Sequence, residues 1–359
     1  KDTTMKKIVM TGGGTAGHVT PNIALMPALK DAGYEITYIG SYQGMEKGLI
    51  EAQNIPYYGI SSGKLRRYFD LKNFTDPFKV LKGFGEAIRL MHKLKPDIVF
   101  SKGGFVSVPV VLAAKYCHVP AIIHESDITP GLANKIAIRG AKKVCCNFPE
   151  TMKYLPEGKA VLTGSPIRQE LFHGNAAAAR KLCHISDDGK PVLLIIGGSS
   201  GSKVINDAVR QVLPQLLERF NVIHLCGKGN LDTSLNGRVG YTQMEYASEE
   251  LPDIFALADL VISRAGANSI CELLALHKPN ILIPLSAAAS RGDQILNANS
   301  FKKQGFSYVL EEESLTGDIL LDAVRDVYAN RVSYRKAMEE SGQMDSIGAI
   351  VDLIKKESK

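Results

Sequence analysis

The chain has 359 residues, of which 45% are apolar and 22% charged, with a net charge of +6. That length exceeds what one core usually fills, so two domains are the default, and the composition excludes a disordered or fibrous chain. No apolar run reaches the ~20 residues of a membrane-spanning helix, and Lys6-Lys-Ile-Val-Met-Thr11 reads as a strand rather than a secretory leader, which places the protein in the cytosol.

The charge is concentrated in one stretch. Between Lys64 and Lys95 there are nine Lys/Arg (64, 66, 67, 72, 79, 82, 89, 93, 95) against Asp70, Asp76 and Glu86. That surplus equals the excess of the whole chain, so the remainder is balanced. The pattern argues against a general nucleic-acid binder and for one basic patch facing an anionic surface.

In chain order, a strand at Lys7–Thr11 runs into Gly12-Gly-Gly-Thr-Ala-Gly17, then a helix to about Ala32, then a strand at Glu35–Ile39. Strand, glycine turn, helix and parallel strand make a βαβ unit. Such glycines let a backbone approach a ligand, and the helix N-terminus beyond offers free N–H donors to an anion. A nicotinamide-binding turn would want an acidic residue after the second strand, and Ile39-Gly40-Ser41 supplies none. His18, just past the turn, suits a general base or a ligand-orienting group, because imidazole titrates near neutral pH.

Thr75-Asp76-Pro77 then starts a helix. Its apolar stripe is Phe74, Phe78, Leu81, Phe84, Ile88 and Met91. Most of such a stripe packs on a sheet. A second use is open to its N-terminal end, which would dip into a bilayer interface with Lys64, Arg66, Arg67, Lys72, Lys79 and Lys82 on anionic headgroups. Strands follow at Asp97–Phe100, leading to Lys102-Gly103-Gly104, at Ala121–Ile123, leading to His124-Glu125, and at Val144–Cys146. His124 has the bland reading of a satisfied core histidine; Glu125 is harder to dismiss, since carboxylates are seldom buried unpaired.

After a break near Leu162–Arg168 the pattern repeats: strand Val192–Ile196, turn Gly197-Gly-Ser-Ser-Gly201, a helix to about Phe220 and strand Val222–Leu225. Amides of this turn suit a diphosphate. Strands at Leu260–Ile262 and Asn280–Ile283 follow. Glu272, one turn into the helix after Ser263-Arg-Ala-Gly266, could accept both hydroxyls of a ribose, although taken alone it reads more simply as a surface Glu favouring a helix N-terminus. Asp293 and Gln294 could bond sugar hydroxyls, or Asp293 could simply start a helix. A last helix spans about Tyr334–Lys356. The fold expected is α/β: two doubly wound Rossmann-like parallel-sheet domains with a cleft between them, covering 1–164 and 165–339, with a C-terminal helix over 340–359 packing back on the first. The six cysteines form no Cys-x-x-Cys and read as structural thiols; His92, His118, His173, His184, His224 and His277 show no metal spacing.

Taken in order, these motifs resemble the MurG family of GT-B glycosyltransferases. The resemblance covers nearly the whole chain through Gly13-Gly-Thr-Ala-Gly-His18, Gly103-Gly-Phe-Val-Ser107, His124-Glu125, Gly131-Leu-Ala-Asn-Lys135, Gly164-Ser-Pro-Ile-Arg168, Gly197-Gly-Ser199, Ser263-Arg-Ala-Gly266 with Glu272, and Asp293-Gln294 with Asn297-Ala298. It departs at Ser126-Asp127, where the family commonly has Gln-Asn, and at Ser200, where Gln is usual. The resemblance implies an inverting, metal-independent N-acetylglucosamine transferase that uses no cofactor. Its donor is UDP-N-acetylglucosamine and its acceptor the 4-hydroxyl of undecaprenyl-pyrophosphoryl-N-acetylmuramyl-peptide, in peptidoglycan synthesis. It places the enzyme on the cytoplasmic face of the cell membrane, with the region around residues 64–84 meeting the bilayer. Arg168 and Ser199 would touch the diphosphate, Glu272 the ribose, and Ala267, Asp293 and Gln294 the sugar, with Thr15, Gly17, Gly198, Asn268 and Ser269 in the same donor set. Gly14, Gly103, Gly104 and Asn134 would face the acceptor, with His18 or Glu125 as the base. The rivals are a diacylglycerol glycosyltransferase or an epimerase of the same fold, and a non-catalytic sugar-nucleotide-binding adaptor.

Overall fold

The computed structural model describes residues 5–63, 76–198, 200–289, 292–342 and 345–359. Lys64, Arg66, Arg67, Lys72, Phe74 and Ser199, named above, lie outside the described residues. The chain divides into two compact units, one of Lys1–Ile167 with Asp345–Lys359 and one of Arg168–Met344. The division falls after Ile167 rather than Gly164, and the chain returns to the first unit at Asp345 rather than 340.

The first unit holds strands β1 (Lys6–Thr11), β2 (Tyr34–Ser41), β3 (Tyr57–Ile60), β4 (Ile98–Ser101), β5 (Ala121–Glu125), β6 (Lys143–Cys146) and β7 (Ala160–Leu162). They form one sheet in the order β3-β2-β1-β4-β5-β6-β7, with every pairing parallel. The helices are α1 (Thr20–Asp31), α2 (Met45–Glu51), α3 (Asp76–Leu94), α4 (Ser107–Tyr116) and α5 (Leu132–Ala137). Alternation along β1 feeds two cores. Ile8 and Met10 join Leu25, Leu29 and Phe100 on one face, and Val9 joins Met91, Val99 and Val110 on the other.

The second unit begins with α6 (Ala176–Leu182) and β8 (Val192–Ile196). It continues through α7 (Lys203–Gln211), α8 (Leu213–Arg219), β9 (Asn221–Leu225), β10 (Tyr241–Met244), α9 (Leu251–Leu257) and β11 (Leu260–Ser263). Then come α10 (Ala267–Ala275), β12 (Asn280–Leu282), α11 (Asp293–Lys303), β13 (Tyr308–Val309), α12 (Gly317–Ala329) and α13 (Arg331–Glu340). Its sheet order is β10-β9-β8-β11-β12-β13, again parallel. In each sheet the first strand sits between its second and a later one, so chain direction reverses there and a crevice opens beyond the carboxyl ends.

The single helix expected over Tyr334–Lys356 is two. α13 ends at Glu340, and α14 (Ser346–Glu357) starts afresh where the Asp345 carboxylate accepts the Gly348 N–H at 2.8 Å. α14 packs on the first unit: Ile350, Val351 and Ile354 enter the core of Ile8 and Met10, and Glu357 pairs with Lys142 at 2.7 Å. A hollow of about 560 Å³ opens at the amino edge of this unit. Its Lys115 and Lys159 are committed to the carbonyls of Arg139, Ile138 and Ala141, closing the C-terminal end of α5. The stripe of α3 divides. Met91 is buried and Phe84 and Ile88 pack on the core, whereas Phe78 is 74% and Leu81 67% exposed. Among the described residues, no helix is long and apolar enough to cross a membrane.

Candidate active site

In the first unit the turn after β1 and the turn after β4 lie back to back. The Gly13 N–H donates to the Gly103 carbonyl at 3.3 Å. Gly104 holds φ +88, and a Cβ there would lie 2.2 Å from the Gly13 carbonyl oxygen, so only glycine fits. Glu46, on α2, is fully buried beneath these turns. Its carboxylate accepts the Ser41 N–H at 2.9 Å, the Ser41 hydroxyl at 2.5 Å and the Gly14 N–H at 3.3 Å. Burial pushes its carboxyl up, but the donors from Ser41 and Gly14 more than offset this and hold it below the usual range. Nothing in the local sequence marked Glu46, which lies in none of the motifs.

His18 is half-buried, with Nδ1 3.0 Å from the Gly13 carbonyl and 3.1 Å from the Thr15 hydroxyl. A carbonyl only accepts, so Nδ1 carries the proton and Nε2 keeps its lone pair. Burial lowers the imidazole pKa and the Lys102 charge lowers it further, opposed by the Gly13 bond and Glu46. His18 is therefore neutral at neutral pH, in the form a general base requires.

His124 and Glu125, at the end of β5, are both buried but differ from His18. His124 Nδ1 receives the Lys102 ammonium at 2.9 Å, and Nε2 donates to the Gly164 carbonyl at 2.8 Å. Burial, then the Lys102 charge, holds its pKa well below the ordinary value. Both nitrogens are occupied, which makes His124 a structural histidine. Lys102 is itself 1% exposed and also contacts the Ser126 hydroxyl. The Glu125 carboxylate accepts from Asn134 Nδ2 at 2.8 Å, Asp127 N–H at 3.0 Å and Gly131 N–H at 3.2 Å. Burial raises its pKa, countered by the Asn134 and Asp127 donors. Glu125 and Asn134 thus pin the loop between β5 and α5 from beneath.

In the second unit Gly198, Ser269 and Glu272 come together around a cavity of about 180 Å³. The ends of β8, β9 and β11 supply Ile196, Leu225 and Ser263, and the far wall is Tyr246, Ala247 and Phe255. Glu245 and Glu272 are the carboxylates among these mostly apolar walls, and Glu245 is already held by the Gly229 N–H at 2.6 Å; such a lining suits a nucleoside. The far wall was not legible beforehand, because Tyr246 and Ala247 follow β10 in a loop without a motif. Glu272 lies 3.5 Å from Arg168 Nη2; burial pushes its carboxyl up, and the Arg168 charge partly restores it. Gly201 packs tightly: a Cβ there, at φ +75, would lie 2.0 Å from the Cys226 carbonyl. The following Ser202 caps α7, its hydroxyl accepting the Ile205 N–H.

The remaining candidates fall in several places. Ala267 is buried and Asn268 half-buried at the head of α10, and Asp293 starts α11 half-buried. Gln294 Oε1 accepts the Leu285 N–H at 3.0 Å and the Ala265 N–H at 3.3 Å, so its amide oxygen holds backbone and only Nε2 remains for a sugar. Gly14, Thr15 and Gly17 belong to the turn of the first unit, not to the unit holding the other donor candidates. All six cysteines are free. Among the described residues no cluster of three His, Cys, Asp or Glu could hold a metal ion.

Residues 8–146 match the glycosyltransferase family 28 N-terminal domain, and residues 192–353 match the glycosyltransferase family 28 C-terminal domain. A UDP-N-acetylglucosamine–N-acetylmuramyl-(pentapeptide) pyrophosphoryl-undecaprenol N-acetylglucosamine transferase of Lachnospira eligens is 69% identical over 355 residues, covering 99% of this chain and 100% of its own. The protein of that name from Lachnoclostridium phytofermentans is 65% identical, with 98% of each chain covered. Among solved structures, Acinetobacter baumannii MurG aligns with a TM-score of 0.78 at 27% identity, over 98% of this chain and 99% of its own. The glycosyltransferase of kitacinnamycin, at 13% identity and a TM-score of 0.74 over 99% of this chain and 100% of its own, shares the fold.

Proposed function

This chain belongs to the MurG family of glycosyltransferases, and from that membership we propose a specific reaction and a role for each group. The enzyme transfers N-acetylglucosamine from UDP-N-acetylglucosamine to undecaprenyl-pyrophosphoryl-N-acetylmuramyl-pentapeptide. The observation that carries this is full-length identity of 69% to an enzyme of that name, joined to a nucleoside-sized cavity with Glu272 on its wall.

In this reading the second unit binds the donor. Glu272 accepts the ribose hydroxyls, and its contact with Arg168 favours its charged form against the effect of burial and leaves the guanidinium beside the diphosphate. Amides of the Gly197–Gly201 turn and the N-terminal dipole of α7, worth about 0.3–2 kcal/mol, meet the phosphates. Those groups, not a metal, take the negative charge that builds on the leaving diphosphate. The 4-hydroxyl of the muramyl sugar attacks the anomeric carbon from the face opposite UDP. The new C–O bond forms as the bond to the diphosphate breaks, the hydroxyl proton passes to a base, and configuration inverts. His18 is that base, through the free lone pair on Nε2. Glu125, with three donors already on its carboxylate, shapes the loop instead.

The enzyme works at the cytoplasmic membrane surface. Support comes from Phe78 and Leu81, apolar and exposed on the first turns of α3 beside Lys79 and Lys82.

The test is incubation with UDP-N-acetylglucosamine and a short-chain muramyl-pentapeptide lipid, following UDP and disaccharide. Stoichiometric disaccharide with inverted configuration supports the reading. UDP release only with diacylglycerol, or epimerised donor without acceptor, overturns it.

A further inference from the structure

Arg264 follows β11, and its buried guanidinium reaches three other segments. Nη2 donates to the Ser202 hydroxyl at 2.7 Å, and Nη1 donates to the Ile283 carbonyl at 3.0 Å and to the Glu312 carboxylate. Each partner lies beyond a different strand. Ser202 closes the glycine turn after β8 and caps α7; Ile283 opens the loop from β12 to α11; Glu312 heads a short 3-10 turn after β13. The neighbouring residue is gripped as well. Ala265 donates its N–H to Gln294 and accepts Asn297 Nδ2 at 3.2 Å through its carbonyl. The loops after β8, β11 and β12 are thus cross-linked around one guanidinium. Its charge is balanced by Glu312, a residue in none of the motifs and itself largely buried at 16% side-chain exposure.

We propose that Glu312 is a positioning residue for sugar transfer, acting through Arg264 to hold the diphosphate turn in register with the loops that carry the sugar-facing residues. The proposal rests on the donor-site reading above. Its physical basis is the asymmetry of buried ion pairs: removing one partner leaves a buried charge uncompensated, and the survivor must find a new anion or water. Arg264 cannot move without drawing on Ser202, and Ser202 fixes both the end of the glycine turn and the first N–H groups of α7. The charge that develops on the diphosphate during bond breaking therefore meets displaced donors. Misplacement of such groups by about 1 Å can cost about 10²-fold in rate. Ground-state binding of UDP, spread over Glu272 and the apolar wall, is less affected.

The experiment compares the full-length wild type with Glu312→Gln, Glu312→Asp, Arg264→Met and the double variant Arg264→Met/Glu312→Gln. It measures kcat and KM for UDP-N-acetylglucosamine, UDP affinity by calorimetry and the melting temperature. Glu312→Gln is expected to lower kcat by about 10-fold to 10²-fold with a smaller change in KM. Glu312→Asp, which keeps the charge, should recover most of that loss. The double variant should be no slower than Arg264→Met alone, because the two residues act as one unit. Wild-type kcat in Glu312→Gln, losses that add in the double variant, or a loss accounted for wholly by unfolded protein would each overturn the proposal. A wild type that binds no UDP would instead remove the donor-site reading and this proposal with it, whereas normal UDP binding with an unaffected Glu312→Gln removes the proposal alone.

Discussion

The Nδ1 of His18 lies 3.0 Å from the carbonyl oxygen of Gly13, so the residue that ends the glycine turn is oriented by the turn itself. Backbone and imidazole are one device, with the tautomer set without a carboxylate partner on the ring, and the proposed role of base follows from it. His18→Ala should lower kcat by about 10²–10⁴-fold, the usual contribution of a positioned base, with little change in UDP affinity. Steady-state kinetics beside calorimetric UDP titration separates the two. Equal losses in both would give His18 a donor-binding role instead.

The same ring sets the acid limb of the pH profile. Its pKa in the folded enzyme is lowered from 6.5, by burial first and then by Lys102. The working base form therefore persists below pH 6.5, and kcat/KM should fall only as pH drops through that lowered value. An acid limb at or above 6.5 in the free enzyme would show that another group titrates.

In the proposed reading Glu272 anchors the donor. A charged hydrogen bond is worth about 1.5–3 kcal/mol, so Glu272→Ala should weaken UDP by roughly 10-fold to 150-fold. The loss should shrink for a nucleotide lacking the ribose hydroxyls, which the carboxylate is there to bind. An equal loss for both nucleotides would locate the effect in the Arg168 contact.

Membrane attachment and chemistry should separate. Phe78→Ser with Leu81→Ser removes two exposed apolar groups from α3, the part of the proposed attachment surface that is apolar rather than basic. Sedimentation with vesicles rich in anionic lipid should fall in these variants, while transfer to a short-chain acceptor in solution is unchanged. Undiminished sedimentation would move the attachment surface elsewhere.

His224 predicts how the second unit responds to acid. Its ring bridges Tyr241 and Asn206 at 3.0 and 2.8 Å, and burial, with the Arg210 charge, pushes its pKa down to about 3. Unfolded, the imidazole titrates near 6.5, so between those values the unfolded chain binds the extra proton. Stability therefore falls as pH drops below 6.5, by at most about 1.4 kcal/mol per pH unit from this group. In urea titrations near pH 7 and pH 5, His224→Gln should lose less stability on acidification than the wild type.

Much of this architecture was legible from the chain. β1, β2, β4, β5, β6, β8, β9, β11 and β12 announce themselves as apolar runs because both their faces are covered. The four strands that went unread, β3, β7, β10 and β13, are the four sheet edges. They are short and only partly buried, so Tyr57–Ile60 or Tyr308–Val309 carries no continuous apolar signal. Among the site residues, glycine turns and strand-end residues were visible because their position follows from topology. Glu46, Lys102 and Glu312 were not, because burial of a charged side chain is decided by distant segments. Glu125 stands out in the chain as a candidate base and Gln294 as a possible sugar ligand, and in the fold the oxygens of both accept backbone N–H groups.

The path of the chain through α14 has a consequence for biosynthesis. The first unit is completed by residues made after the whole of the second. Until Ile350, Val351 and Ile354 leave the ribosome, the face of Ile8, Met10 and Leu25 lacks its cover. The first half of the nascent protein must wait, partly open and prone to aggregation or chaperone capture, while the later half folds ahead of it.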